Sequence, residues 1–371
     1  MRIGIDAKWY FEGPPSGRRV VRALVEAMLR CDQRNEYYIF LNQRHRAEQF
    51  PMQGPNIHLV YVWAGNNQLS NVFVLPRYAN RYKVDVTLYQ NFISPFGTTK
   101  KIAYIHDVLF LSNPEFYTTY ERLYFAPLKY LTRRADAVIT VSEEERKRLI
   151  HFGFAKDPDK LFVAHHGVDS TFLPRNDYDT KRVEAVKLRY ALPDRFLLFV
   201  GRLNLRKNVD NLLKGVALLQ DKDIPLVIVG TTNWKESNHL QTIKALGIED
   251  RVQFKGSIDQ DLGVVYSLST LFCFPSFAES FGLPPLEAMA CGVPVVVSDT
   301  TSLPEICGDA GNYVPADNPQ QIAAVIDSLL CNGQLYESKK MLGLAQARKF
   351  TWENAAKKIL QVMETVNQSA A

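Results

Sequence analysis

Positions 20, 21, 24, 25 and 28 are apolar, and 18, 19, 22, 26 and 30 carry charge. That spacing predicts an amphipathic helix over 17–29, behind a strand at 2–6. Further strands are expected at 37–41, 57–62, 84–88, 102–105, 137–141 and 160–164. Helices are expected at 115–134 and 142–152, the second opening on Ser142 and Glu145 at capping-box spacing. The stretch 174–193 is polar and charged and suits a linker with a short helix. Then the pattern restarts. Runs at 196–200 and 225–229 are continuously apolar and end in Gly201 and Gly230; 252–254, 270–274 and 294–297 continue the series. Runs this apolar suit parallel strands covered on both faces. Strands alternating with helices twice over predict an α/β protein of two doubly wound, Rossmann-like domains, here 1–175 and 176–351. A length of 371 residues agrees with two cores. Ligands of such sheets bind beyond the carboxyl ends of the strands, and a cleft between the domains is the expected place.

Charge adds an asymmetry. Residues 1–175 hold 24 Lys and Arg against 17 Asp and Glu, a balance of +7, whereas the whole chain stands at +5. A basic half suits nucleic acid, an anionic membrane surface or a phosphorylated substrate, and equally a set of solvated helix faces. The scattered basic residues form no nucleic-acid motif, so no nucleic-acid partner is expected. Cys31, Cys273, Cys291, Cys307 and Cys331 are odd in number and form no CxxC pair or zinc spacing. They read as reduced, mostly buried thiols. The opening run is strand-like and unlike a secretory leader, and no apolar run approaches the roughly 18 residues of a membrane helix. A cytoplasmic location is therefore expected.

The chemistry is concentrated in the second half. Gly201-Arg202-Leu203-Asn204-Leu205-Arg206-Lys207-Asn208 follows a buried strand and precedes a helix starting near Asn208. Arg202 and Lys207 then lie on a loop at a strand's carboxyl end, beside a helix N-terminus whose N–H groups are free. An Arg fork with a Lys point charge is a suitable clamp for a diphosphate, although an exposed basic turn has the same composition.

Glu279 and Glu287 lie eight apart around Phe281-Gly282-Leu283-Pro284-Pro285. The two prolines forbid one continuous helix, so a helix is expected to start near Pro284 and stop before Gly292. Glu279 then sits on the loop ahead of it and Glu287 in its first turn. The backbone of Phe281, Gly282 and Leu283 offers N–H groups to the same place. Two carboxylates around an anion-binding helix start make sense for a ligand that also carries hydroxyls. Glu287 would equally suit simple charge–dipole placement.

These residues resemble glycosyltransferase family 4, the retaining enzymes of the GT-B fold, and within it bacterial mannosyl- and rhamnosyltransferases. Gly-Arg-x4-Lys-Asn at 201–208 paired with Glu-x7-Glu at 279–287 carries most of the likeness. Val141-Ser142-Glu143, His166-Gly167-Val168-Asp169, Phe254-Lys255-Gly256 and Phe350-Thr351-Trp352 add to it. The resemblance implies that Arg202 and Lys207 hold the donor diphosphate and Glu287 the ribose. It implies that Glu279 and the backbone of Phe281, Gly282 and Leu283 hold the transferred sugar and phosphate, while Ser257 and Ile258 touch the base. His106, in His106-Asp107, falls at the reacting face of the sugar, although a lone histidine also serves as a hydrogen-bonded structural group. The helix at 352–368 is expected to cross back to the first domain. The family favours Gly-x-Gly-Arg in the first loop; here Pro15-Ser16-Gly17-Arg18 keeps Gly17 and Arg18 and replaces a glycine by Pro15.

The function so implied is transfer of a hexose from a nucleotide-sugar, GDP-mannose first, to a saccharide or lipid-linked acceptor. No DxD cluster suits a metal-bound diphosphate, so neither metal nor other cofactor is expected. An epimerase of the same architecture would need acid and base groups that are not in evidence. A non-catalytic nucleotide-sugar-binding subunit would be expected to lose Arg202, Lys207 or Glu279, and all are present. On the basic half, Arg77, Arg81 and Lys83 beside Phe73, Tyr78 and Tyr82 are candidates for contact with a membrane-displayed acceptor, placing the protein peripherally on the cytoplasmic membrane face.

Overall fold

The computed structural model describes residues 1–231 and 239–368. The chain divides into two compact units, 1–167 with 351–371, and 168–350.

Unit 1 is built on seven parallel strands: β1 (Arg2–Asp6), β2 (Glu36–Asn42), β3 (Ile57–Val62), β4 (Val86–Gln90), β5 (Lys100–Ile105), β6 (Ala137–Thr140) and β7 (Leu161–Val163). Their order is β3-β2-β1-β4-β5-β6-β7, so it reverses between β1 and β4. The helix Pro15–Cys31 buries Val20, Val21, Leu24, Val25 and Met28, the apolar stripe of the sequence. It packs against the last helix, Trp352–Gln368, which belongs to unit 1 and buries Ile359, Leu360, Met363 and Val366. A Cβ on Gly167 would fall 2.1 Å from the backbone nitrogen of Trp352, so the glycine of the His-Gly-Val-Asp motif makes room for the returning chain.

Unit 2 has six parallel strands: β8 (Leu197–Val200), β9 (Leu226–Val229), β10 (Val252–Phe254), β11 (Leu271–Phe274), β12 (Val295–Ser298) and β13 (Gly311–Val314). The order β10-β9-β8-β11-β12-β13 reverses between β8 and β11. Both sheets are doubly wound, and each reversal leaves a crevice at the carboxyl ends of two neighbouring strands.

Several boundaries differ from expectation, each for a local reason. The first unit stops at Gly167 rather than residue 175, because the following segment packs with unit 2, where Phe172 rests edge-on to Tyr266. β4 starts at Val86 rather than residue 84. Val84 instead closes the helix Leu75–Arg81: Lys83 turns left-handed at φ 53°, Lys83 N bonds Asn80 O, and Val84 N bonds Ala79 O. That is a Schellman ending, and it carries the strand on to Gln90.

The single helix expected at 115–134 is broken into Thr119–Phe125 and Leu128–Thr132. Pro127 has no N–H to continue the ladder, and Thr118 with Glu121 forms a full capping box that starts the helix late. Ser142 caps the helix Glu143–His151, but Glu145 does not complete the box. Its carboxylate accepts from Val108 N at 2.6 Å and pairs with Arg148. β13 was not foreseen: Gly-Asn-Tyr-Val is short and only partly apolar.

Candidate active site

At the carboxyl end of β8 the chain turns through a 3-10 segment, Leu205–Lys207, capped by Asn204, whose side chain accepts from Lys207 N. Asn208 follows in the left-handed region at φ 56° and donates from Nδ2 to Pro275 O and Ala316 O. These bonds tie the loop to the end of β11, across the crevice where strand order reverses. Lys207 is thereby buried, its ammonium 4.6 Å from the centre of the Phe274 ring.

Lys207 Nζ donates to Glu279 Oε1 at 2.6 Å, Ser276 Oγ donates to the same oxygen at 2.5 Å, and Arg206 Nη1 lies 2.9 Å from Oε2. Of about four lone-pair directions on that carboxylate, three are filled. Burial alone would push the Glu279 carboxyl up, but Arg206 and Lys207 reverse this and hold it at about 2. Burial pulls Lys207 down to about 8, against the opposing pull of Glu279. All three groups are charged at neutral pH, two cations to one anion. Arg202 stands exposed nearby and lowers Lys207 further.

The structure therefore brings Lys207 and Glu279 together directly. The arginine on the carboxylate is Arg206, a residue the Gly-Arg-x4-Lys-Asn pattern does not single out, while Arg202 makes no ion pair among the described residues. Arg206 and Lys207 both lie in the 3-10 segment Leu205–Lys207 and reach the carboxylate together, whereas Arg202 lies ahead of that segment.

The helix Leu283–Ala290 begins at Gly282, with φ 112°. A Cβ there would lie 2.8 Å from Leu303 Cδ2, so both backbone and space require glycine. Pro284 and Pro285 remove two of the N–H groups a helix start normally frees, which leaves those of Gly282 and Leu283 as the main donors. Phe281 is buried, and its carbonyl accepts from Ser302 Oγ at 2.8 Å. Gly292 ends the helix at φ 73° with the bonds of a Schellman motif, as its position suggested. Glu287 lies in the second helical turn rather than the first; it is buried and accepts from Tyr266 Oη at 3.1 Å. The loop beyond β10 leaves Ser257 exposed and Ile258 buried, after Gly256 at φ 66°.

In unit 1, His106 follows β5. Its Nε2 lies 2.7 Å from Gln90 Oε1 at the end of β4, and its backbone N donates to Asn91 Oδ1 at 3.3 Å. Burial lowers its pKa to about 4, so the ring is neutral at pH 7. Gly17 lies inside the first turn of the helix Pro15–Cys31 rather than in a loop before it. Pro15 occupies the first helical position, where a missing N–H costs nothing. A buried knot lies under the end of β1. Lys8 Nζ donates to Asp6 Oδ1 at 2.5 Å and to Asn71 Oδ1, and Asn71 Nδ2 donates to Asp6 Oδ2 at 2.8 Å.

On the surface of unit 1, Arg77, Arg81 and Lys83 are exposed, as is Phe73. Tyr78 and Tyr82 instead pack on the core. Other exposed apolar side chains of the unit include Leu69, Phe96, Tyr120, Leu123 and Tyr130, and Phe73 and Phe96 are stacked at 5.7 Å. No helix among the described residues is long and apolar enough to cross a membrane. Among the described residues, no three His, Cys, Asp or Glu side chains converge as a metal set would.

Comparison with known proteins matches residues 181–349 to the family described as glycosyl transferases group 1 and residues 17–172 to Glycosyltransferase Family 4. The O-antigen chain mannosyltransferase B of Escherichia coli is 32% identical over 270 residues, covering 71% of this chain and 70% of that protein. The serotype-specific mannosyltransferase WbdA of Escherichia coli is 30% identical over 280 residues, covering 73% of this chain; the match spans about a third, 34%, of WbdA. Among solved structures, the sucrose-phosphate synthase of Thermosynechococcus elongatus superposes over 100% of both chains with a TM-score of 0.79 at 21% identity, a likeness of fold.

Proposed function

The chain belongs to glycosyltransferase family 4 and has its GT-B fold, and on that premise we propose that it is a retaining, metal-independent mannosyltransferase. It moves mannose from GDP-mannose to a saccharide or lipid-linked saccharide in the synthesis of a cell-surface polysaccharide or glycolipid. The observation that carries this reading is the Arg206–Glu279–Lys207 cluster at the switch point of unit 2, with Arg202 exposed beside it. The site holds more positive than negative charge, next to a helix start with two open N–H groups. It is therefore complementary to an anion that bears hydroxyls. The preference for mannose rests on the names of the relatives; UDP-hexoses and dTDP-rhamnose rank behind GDP-mannose.

In this reading Arg202 and Lys207 take the diphosphate, and Glu287 takes the ribose. The backbone at Phe281, Gly282 and Leu283 takes phosphate and sugar, and Ser257 and Ile258 meet the base. Glu279 orients Lys207 and Arg206 and spends its remaining lone pair on the sugar. The bond from the anomeric carbon to the diphosphate oxygen breaks, with its electron pair leaving on that oxygen. The cations and N–H groups stabilise the growing negative charge. The acceptor hydroxyl oxygen bonds to the same face of the anomeric carbon, and its proton passes to the departing diphosphate. His106 lies at the reacting face, with Gly17 in the helix start of the acceptor side.

The acceptor is taken at the cytoplasmic membrane face, with Phe73, Phe96, Leu123, Arg77 and Arg81 against anionic headgroups. The test of the whole reading is thermal stabilisation by a panel of nucleotide-sugars. A ligand at 100 times its Kd adds about 2.7 kcal/mol of apparent stability. GDP-mannose is expected to raise Tm most; stabilisation by a UDP-hexose without any by GDP-mannose would overturn the donor. Transfer should persist in excess EDTA, and loss restored by manganese would overturn metal independence.

A further inference from the structure

Gln90 closes β4 and is buried. Its side-chain carbonyl oxygen lies 2.7 Å from Nε2 of His106. With that oxygen toward the ring the imidazole donates from Nε2, and the buried amide nitrogen of Gln90 has no partner among the described residues; the opposite amide orientation would put the proton on Nδ1. Gln90 is itself held from behind: its N–H donates to Asp6 Oδ2 at 3.3 Å and its carbonyl accepts from Asn71 Nδ2 at 3.2 Å. Both partners belong to the buried Lys8 knot. The other side of His106 is fixed as well. Its N–H donates to Asn91 Oδ1, Val108 N donates to Glu145 Oε1, and Thr140 Oγ1 donates to Ile105 O at 2.9 Å. The ring is thus located by three strands and the helix Glu143–His151, while Nδ1 has no hydrogen-bond partner among the described residues.

We propose that Gln90 is a positioning residue for His106, holding the imidazole as its neutral Nε2–H tautomer so that Nδ1 is offered as a hydrogen-bond acceptor to a sugar hydroxyl. This deepens the function proposed above and rests on the placing of His106 at the transferred sugar. An imidazolium would carry donors on both nitrogens and lose the acceptor. The titratable groups facing the ring are Tyr104 at 4.7 Å and His166 at 6.0 Å, with Asp107 next in the chain and Glu145 behind Val108. Burial holds both histidines below their ordinary range, so the ring stays neutral through the physiological window.

The experiment is nitrogen NMR of the full chain labelled in histidine, with the His106 signals identified by their loss in His106→Asn. The expected spectrum at pH 7, without substrate, has a protonated Nε2 and an unprotonated Nδ1. In Gln90→Met both tautomers should be populated, and kcat should fall about 10-fold or more at unchanged donor KM, the pattern of a lost tautomer-setting partner. In Gln90→Glu the carboxylate should keep the proton on Nε2 but raise the imidazole pKa, moving the acid limb of kcat/KM to higher pH. A wild-type ring protonated on Nδ1, or a Gln90→Met protein with unaltered tautomer and kcat, overturns the proposal. Should Gln90→Met fail to fold, the wild-type spectrum and Gln90→Glu still decide it. The tautomer is read without substrate, so the expected spectrum with transfer insensitive to His106→Asn would count against the proposed place of His106 and not against Gln90.

Discussion

Each unit buries a lysine against a carboxylate at the carboxyl end of its sheet, where strand order reverses, yet the two lysines stand in opposite electrical settings. In unit 1, Lys8 meets Asp6 and the amide of Asn71, and all three are buried. One lysine faces one carboxylate, burial lowers the Lys8 ammonium against the opposing pull of Asp6, and the contacts of the knot are internal. In unit 2, Lys207 and Arg206 share the single carboxylate of Glu279, and Arg202 adds an exposed guanidinium. The same position in the same kind of sheet is closed in one unit and left with positive charge to spare in the other. A balanced buried pair contributes little net stability but is costly to break, whereas an unbalanced one is complementary to an anion.

The sharpest way to break this contrast is to remove each lysine. Lys8→Met leaves Asp6 charged in a buried site and should cost about 3–5 kcal/mol in urea unfolding. A loss below about 1 kcal/mol would show that the knot is not the closed structural pair described here. Next in size, Arg202→Ala and Lys207→Ala should each lower kcat/KM by about 100-fold, roughly 2.7 kcal/mol of transition-state stabilisation. Stability should change far less than for Lys8, because Glu279 keeps Arg206 and Ser276 as partners and Arg202 is exposed. Either mutant with near-normal turnover would remove it from the clamp.

A smaller effect comes from pH. The Lys207 ammonium is held at about 8 by burial, against the opposing pull of Glu279. Above that pH the free enzyme loses the charge, so kcat/KM should fall as pH rises through about 8, by up to about tenfold per unit. Lys207→Arg, which stays protonated, should abolish that limb. A limb that persists unchanged in Lys207→Arg belongs to another group.

The parts of this contrast that were legible in the sequence are those with a periodic or punctuating signal. The apolar runs that became β8, β9, β11 and β12 needed burial on both faces. Pro284, Pro285 and Gly292 bracketed their helix because one residue type lacks an N–H and the other tolerates positive φ. The rest depended on details that composition does not encode. Arg206 and Arg202 are indistinguishable by type; Arg206 is the one on the turn whose backbone and guanidinium are bonded to the 276–278 segment beside Glu279. Gln90 was invisible because the Schellman ending at Val84 slides β4 two residues along and makes a polar residue its last. Tyr78 and Tyr82 neighbour arginines, a surface-like context in the sequence, but their partly buried rings pack against the core of unit 1.

Calorimetric titration of wild type, Lys207→Ala, Glu279→Ala and Glu287→Ala with GDP-mannose and with GDP tests the central claim most directly. The account predicts about 100-fold weaker binding of both ligands to Lys207→Ala, and weaker binding of both to Glu287→Ala, because diphosphate and ribose are common to them. Glu279→Ala should weaken GDP-mannose more than GDP, since the lost sugar contact adds to the loosened hold on Lys207 and Arg206 that both ligands feel. Undiminished binding of GDP to Lys207→Ala, or equal losses of the two ligands in Glu279→Ala, would contradict the assignment of this cluster as the donor site.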